Sequence, residues 1–294
     1  MNYFAELTVQ NNAVKHLAKR LYDGTLVLFI GAGASRGFGL PNWVELVNDL
    51  RKEVGLPIIS NPTSADDLQL SADEVIDKIG SVDNLIKKIE ELLYKKVEFE
   101  STKVFENHLL ISISALLMGS KRGHVTRVVS LNYDNMLEWF LSLFGFVVKS
   151  VYKLPDLEGS EDVRIYHPHG YIPSSKITSE KSDFVILGMD SANTRLGTPG
   201  DPWFEKVRSI LDSGFCLFIG MSENTLLDRA IAPLFKTSGE KVKLNRPLGV
   251  WVLLSDPERA DFQRYNIAPL VLSSPLEISD FLLKICQEAR KKLV

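Results

Sequence analysis

The sequence predicts an α/β fold: a mostly parallel sheet with helices on both faces. Three observations carry that expectation. Leu26–Ile30 and Phe215–Ile219 are five-residue runs without a polar side chain, as a strand buried on both faces of a parallel sheet requires. Strand-like runs alternate along much of the chain with segments of helical periodicity, the order that βαβ units impose. Four of the strand candidates lead directly into short segments of glycine or chemistry-bearing side chains, at the carboxyl ends where such sheets bind ligands.

Residues 9–22 place Val14, Leu17, Ala18 and Leu21 at helical spacing, so an amphipathic helix precedes the first strand. That strand, Leu26–Ile30, lies between Gly24 and Gly31. A helix over 43–54 is entered through Pro41-Asn42. The alternation then stops. Pro57, Asn61 and Pro62 make a loop, and 73–79, 82–97 and 104–118 read as successive helices with no strong strand between them. Residues 55–121 are therefore expected to form a helical insert within a single domain spanning 1–294.

After Gly123 the alternation resumes. Arg127–Ser130 reads as a strand and 135–143 as a helix. Short strands are expected at 146–148, 164–166 and 184–187, then a helix over 203–211. Phe215–Ile219 is followed by a helix over 226–235, strands at Gly249–Leu253 and 269–272, and a closing helix over 276–292.

Composition narrows the function classes. The chain has 294 residues, 45% hydrophobic and 24% charged, with a formal net charge of −3. Ample apolar material for a core excludes a disordered or collagen-like chain. The basic excess of a dedicated nucleic-acid binder is lacking. The two cysteines, Cys216 and Cys286, cannot build a four-cysteine zinc site, and reduced, buried thiols in a cytoplasmic protein are expected. The first residues lack the basic and apolar regions of a signal peptide, and the apolar stretches are too short to span a bilayer.

The first chemistry-bearing segment is Gly31-Ala32-Gly33-Ala34-Ser35-Arg36-Gly37. Its glycines permit a tight turn and close approach of backbone to a diphosphate, with the N–H groups of a following helix available to the anion. A plain βα turn uses glycines equally well, and Arg36 stands where a G-x-G-x-x-G motif has its third glycine. The second is Leu131-Asn132-Tyr133-Asp134. Asn132 and Asp134 could project together into a site, or Asp134 could cap the helix that follows. The third is His167-Pro168-His169-Gly170, open to a metal pair, to a single general base of near-neutral pKa, or to a structural histidine. The fourth is Gly220-Met221-Ser222-Glu223-Asn224. It is either a second nucleotide-contact loop or a helix start, for which Thr225-Leu226-Leu227-Asp228 supplies a capping box.

In this order, Gly31-Ala32-Gly33-Ala34-Ser35, Asn132-Tyr133-Asp134, His169-Gly170 and Gly220-Met221-Ser222 resemble the sirtuin-like family. Gly39-Leu40-Pro41-Asn42-Trp43 and Asn132-Tyr133-Asp134 look like its bacterial branch. The chain departs from the protein-deacylating branch in lacking the four-cysteine module and the Asp-Phe-Arg after the glycine loop. It departs from the common bacterial Gly-x-Ser-x-x-Asp in having Thr225 at the last position.

The resemblance implies a Rossmann-like domain that hydrolyses NAD⁺ as its substrate, without a metal, in antiphage defence. It implies a cytoplasmic homo-oligomer and a partner such as a HerA-like ATPase or another sensor, with no membrane or direct nucleic-acid contact. It assigns the diphosphate to Gly31, Ala32, Gly33 and Ser35, and the adenosine side to Gly220 and Ser222. Asn132 would hold the nicotinamide ribose and position water, Asp134 would bind the carboxamide, and His169 would serve as general base. An NAD-dependent deacylase and a non-catalytic nucleotide sensor are the alternatives.

Overall fold

Residues 3–60, 65–118, 124–181 and 184–291 are described in a computed structural model. In chain order, helices α1 (Tyr3–Leu7) and α2 (Gln10–Tyr22) precede strand β1 (Leu26–Ile30). Helices α3 (Trp43–Glu53), α4 (Ala65–Ile79), α5 (Val82–Leu93), α6 (Ser101–Val104) and α7 (His108–Leu117) follow. Then come β2 (Arg127–Ser130), α8 (Met136–Leu143), β3 (Val148–Val151), β4 (Val163–Tyr166), α9 (Met189–Leu196) and α10 (Pro202–Ser213). The chain closes with β5 (Phe215–Ile219), α11 (Ala232–Val242), β6 (Gly249–Leu253), β7 (Ile267–Val271) and α12 (Pro275–Arg290).

The strands form one sheet in the order β3-β4-β2-β1-β5-β6-β7, and every ladder in it is parallel. Successive strand residues face opposite sides, and here both sides are dry. Leu26, Leu28 and Ile30 of β1 pack with Leu17, Leu117 and Phe281 from α2, α7 and α12. Val27 and Phe29 pack on the other face with Val207, Leu211 and Phe235 from α10 and α11. That two-sided burial is why the central strands read as unbroken apolar runs. Cys216 is fully buried in β5, and burial pushes its thiol up to about 12.

From β1 the chain moves outward through β2; from β5 it moves outward through β6, in the opposite direction. The crevice at the carboxyl ends of β1 and β5 is thus the topological switch point, where open α/β sheets hold ligands.

The helical segment after β1 divides between two cores. Leu46 and Val47 of α3 pack with Val75 of α4 and Ile86 and Ile89 of α5, forming a separate small core that also takes Ile172 and Leu187. α7 instead joins the main core. Asn61, Pro62 and residues 119–121, expected at the loop and edge of the insert, lie outside the described residues, as does Lys292 at the end of the expected closing helix.

Several expectations are corrected. The helix expected over 104–118 starts only at His108, as α7, because Asn107 caps it by accepting the Leu110 N–H at 3.0 Å; Val104 instead ends the short α6. Residues 184–187 form no ladder strand; Val185 makes one isolated antiparallel bridge with Gly170, and Leu187 packs into the small second core with α3, α4 and α5. The strand expected at 146–148 begins at Val148. The helix expected over 226–235 begins only at Ala232, after a 3₁₀ turn over Glu223–Leu226. The Thr225–Asp228 capping box does not form. α1 and α9 were not anticipated.

Candidate active site

The glycine segment leaves β1 not into an α-helix but into a 3₁₀ turn, Ala32–Ala34, followed by a second, Arg36–Phe38. The expected helix N-terminus beneath an anion is therefore replaced by tight turns. The Gly31 N–H donates to Ile219 O and the Gly33 N–H to Gly220 O, both at 2.9 Å. A Cβ on Gly33 would lie 2.7 Å from the Gly220 Cα, and Gly220 itself has φ +69°. The first and fourth sequence segments are thus locked together backbone to backbone, which only glycine permits at this spacing.

Residues three apart eclipse in a 3₁₀ turn, and this turn divides two spaces accordingly. Ala32 and Ser35 line a small cavity of about 60 Å³ with Asn132, Asp134, His169 and Trp43. Gly33 and Arg36 line a cavity of about 770 Å³ that also takes Lys96 and His108. A further space of about 420 Å³ runs from Gly33 past Gly220 and Ser222 to Ser255 and Asp256 beyond β6. The two larger spaces share Gly33, Leu109 and Pro275, and each falls in the size range of small-molecule sites.

Asn132 and Asp134 both reach the glycine turn. Asn132 Nδ2 donates to Gly31 O at 3.1 Å and to Ser35 Oγ at 3.3 Å. Ser35 Oγ donates to Asp134 Oδ1 at 3.0 Å, and the same oxygen accepts the Met136 N–H at 3.1 Å. Asp134 does not N-cap α8, whose cap position is Asn135; it accepts the first N–H of that helix from one residue further back and also lines the small cavity. Burial raises its carboxyl to about 6. The Ser35 hydroxyl is committed to Asp134 and Asn132, so it braces the site rather than standing free for a diphosphate.

The two histidines divide. His169 Nδ1 lies 3.1 Å from Leu131 O. A carbonyl only accepts, so Nδ1 carries the proton and Nε2 keeps its lone pair. Burial lowers the imidazole pKa, opposed by the charge of Asp228, while Arg195 adds to the lowering. His167 is completely buried. Its Nδ1 donates to Asn132 O at 3.0 Å and its Nε2 to Glu138 Oε1 at 2.7 Å. Both ring nitrogens of His167 are thus already engaged. Among the described residues no group of three or more His, Cys, Asp or Glu is placed to hold a metal ion.

Asp228 is the site residue that sequence reasoning missed. Instead of capping a helix it is buried, accepting the Ala230 N–H at 2.8 Å and Gln69 Nε2 at 3.0 Å. Burial raises its carboxyl pKa, and it stands in electrostatic contact with His169. Gln69 belongs to α4, so one hydrogen bond ties the helical segment to Asp228. The available signal was the acidic residue three positions beyond Thr225.

Residues 126–270 match the SIR2-like domain family. The chain is also 22% identical, over 305 aligned positions, to the NAD(+) hydrolase ThsA of Bacillus cereus strain MSX-D12. That alignment covers 96% of this chain but 58% of the relative, so the chain spans little more than half the relative's length. Asn132, Asp134, His169, Gly220, Ser222 and Asp228 all fall within the segment that matches the family.

Proposed function

We propose that this chain, whose residues 126–270 match the SIR2-like domain family, hydrolyses NAD⁺ at the bond between nicotinamide and ribose. The carrying observation is the convergence of Asn132, Asp134 and His169 on one small cavity beside the switch-point crevice. The relative's activity as an NAD(+) hydrolase points the same way.

The reaction is NAD⁺ plus water to nicotinamide, ADP-ribose and a proton. Nicotinamide leaves with the electron pair of the C–N bond, and an oxocarbenium-like centre develops at the ribose. The small cavity takes the nicotinamide end; the space along Gly220 and Ser222 takes the adenosine end. Between them the Gly31–Gly33 turn brings bare backbone against the diphosphate. Among the described residues the Ala32 N–H donates to no backbone carbonyl, so it is the N–H of this turn left for an anion.

Asn132 is held by its Nδ2 and presents Oδ1 to the ribose or the attacking water. Asp134, held through Oδ1, presents Oδ2 to the carboxamide N–H₂. His169 Nε2 takes the proton from the water. Because the leaving group already carries positive charge, positioning and electrostatics supply most of the rate. We further assign the protein a role in antiphage defence by NAD⁺ depletion, acting as a homo-oligomer controlled by a partner such as a HerA-like ATPase. These assignments rest on the family resemblance.

Nicotinamide release from NAD⁺ by the purified chain, with and without an acetylated lysine peptide, tests the reading. Release independent of the peptide is expected. Release only with peptide would assign a deacylase, and binding of NAD⁺ without release would assign a sensor.

A further inference from the structure

His167 is a titratable group, completely buried, that the proposed reaction does not use. It lies two residues from His169, yet the two rings do different work on the same short segment. His169 Nδ1 holds Leu131 O at 3.1 Å, and His167 Nδ1 holds Asn132 O at 3.0 Å. Two consecutive carbonyls are thus gripped from β4's exit loop. Among the described residues His169 Nε2 has no hydrogen-bond partner, whereas His167 spends Nε2 on Glu138 Oε1 at 2.7 Å. We propose that His167, backed by Glu138, is a positioning residue that clamps the backbone of Asn132 and so fixes the Asn132 side chain over the reacting ribose. The proposal rests on the NAD⁺-hydrolase reading.

The two partners fix the ring's orientation and its protonation. Both acceptors of His167, a carbonyl and a carboxylate, call for N–H donors, so the buried ring carries two protons and its charge is balanced by Glu138. Burial alone would depress that protonation; the Glu138 charge and hydrogen bond outweigh it, and the pKa lies above the ordinary value. The groups facing the ring are Glu138 from α8, Asp134 from the β2 loop, and the Tyr171 ring at 4.7 Å. Ser150 of β3 donates to the same Glu138 oxygen at 3.4 Å. On the other side of the clamped peptide, Asn132 Nδ2 meets Gly31 O and Ser35 Oγ. Backbone and side chain of Asn132 are therefore both fixed, and a displacement of about 1 Å in such a group costs about 10²-fold in rate.

Two variants separate positioning from stability. Glu138→Gln keeps shape: a neutral His167 still donates Nδ1–H to Asn132 O and accepts the new amide at Nε2. His167→Leu combined with Glu138→Gln removes the clamp without leaving a buried charge. Nicotinamide release is followed against NAD⁺ concentration. The single variant is expected to hold kcat within about 3-fold, and the double variant to lose about 10–100-fold in kcat with KM changed less than about 3-fold. Equal kcat in the two variants, or a loss that only tracks the folded fraction seen by circular dichroism, would overturn the clamp. Histidine ¹⁵N NMR of the wild-type chain gives a readout independent of turnover. His167 is expected doubly protonated at pH 7 and His169 singly, on Nδ1. If wild-type protein releases no nicotinamide while these ring states hold, the reaction assignment fails and the clamp stands; a His167 ring that carries no proton on Nδ1 at pH 7 overturns the clamp itself.

Discussion

Asp228 shows how one residue can satisfy a local rule and still serve a distant partner. Thr225-x-x-Asp228 has the spacing of a capping box, but the carboxylate is taken by Gln69 from α4 and by the Ala230 N–H. No local pattern reveals a partner so far away in the chain. At His169 the effect has a definite sign. The Asp228 charge favours the protonated imidazole and opposes the lowering by burial. Asp228→Asn removes that charge, so the His169 pKa falls further. The acid limb of kcat/KM, set by the free enzyme's base, is expected to move to lower pH. The plateau rate should drop, because a weaker base takes the proton less well. A pH–rate profile of the variant checks this; an acid limb that stays in place would show that Asp228 does not act on His169.

At the scale of elements, the strands were legible where burial is two-sided and failed where it is not. Leu26–Ile30 and Phe215–Ile219 match β1 and β5 residue for residue, since both faces demand apolar side chains. Residues 184–187 carry the same apolar signature for another reason: Leu187 fills the small core of α3, α4 and α5, and Ile186 a small cluster with Ala192 and Ala230. Composition cannot distinguish packing against helices from packing within a sheet. The glycine turn was legible as a turn, but its contact with Gly220 was not, because the contact joins two elements. Gly33→Ala tests that contact. Its Cβ would meet the Gly220 Cα at 2.7 Å and Gly220 O at 3.0 Å, all of it backbone that cannot swing away. We expect a loss of about 1–3 kcal/mol of stability from overpacking, together with loss of NAD⁺ binding as β1 and β5 separate at the switch point. Thermal unfolding and NAD⁺ titration measure the two effects.

For the whole molecule, the order of four short motifs at strand ends carried more information than any motif alone, because the sheet brings all four carboxyl ends to one edge. The helical segment supplies none of the four but contacts Asp228 through Gln69, and it braces the start of α9 through the Asp73 carboxylate, which accepts the Met189 N–H at 3.2 Å. A constitutive NAD⁺ hydrolase would exhaust a cofactor its host needs, so turnover by the isolated chain is expected to be weak and to rise on assembly. Charge-reversing substitutions on the exposed face of α5 should reduce both assembly and rate. Sedimentation and turnover measured at the same concentrations test this, and a dilute monomer as fast as any assembly would end the regulatory account while leaving the catalytic one intact.

We propose that His169, gripped through Nδ1 and with no hydrogen-bond partner at Nε2 among the described residues, draws the proton from the water that attacks NAD⁺. Proton NMR of NAD⁺ incubated with concentrated wild-type chain and, separately, with His169→Ala tests it most directly. Wild-type protein should yield nicotinamide and ADP-ribose in equal amounts. The variant should be slower by about 10²–10⁴-fold, with an unchanged circular dichroism spectrum. ADP-ribose absent from the wild-type reaction, or formed equally fast by the variant, would contradict the account.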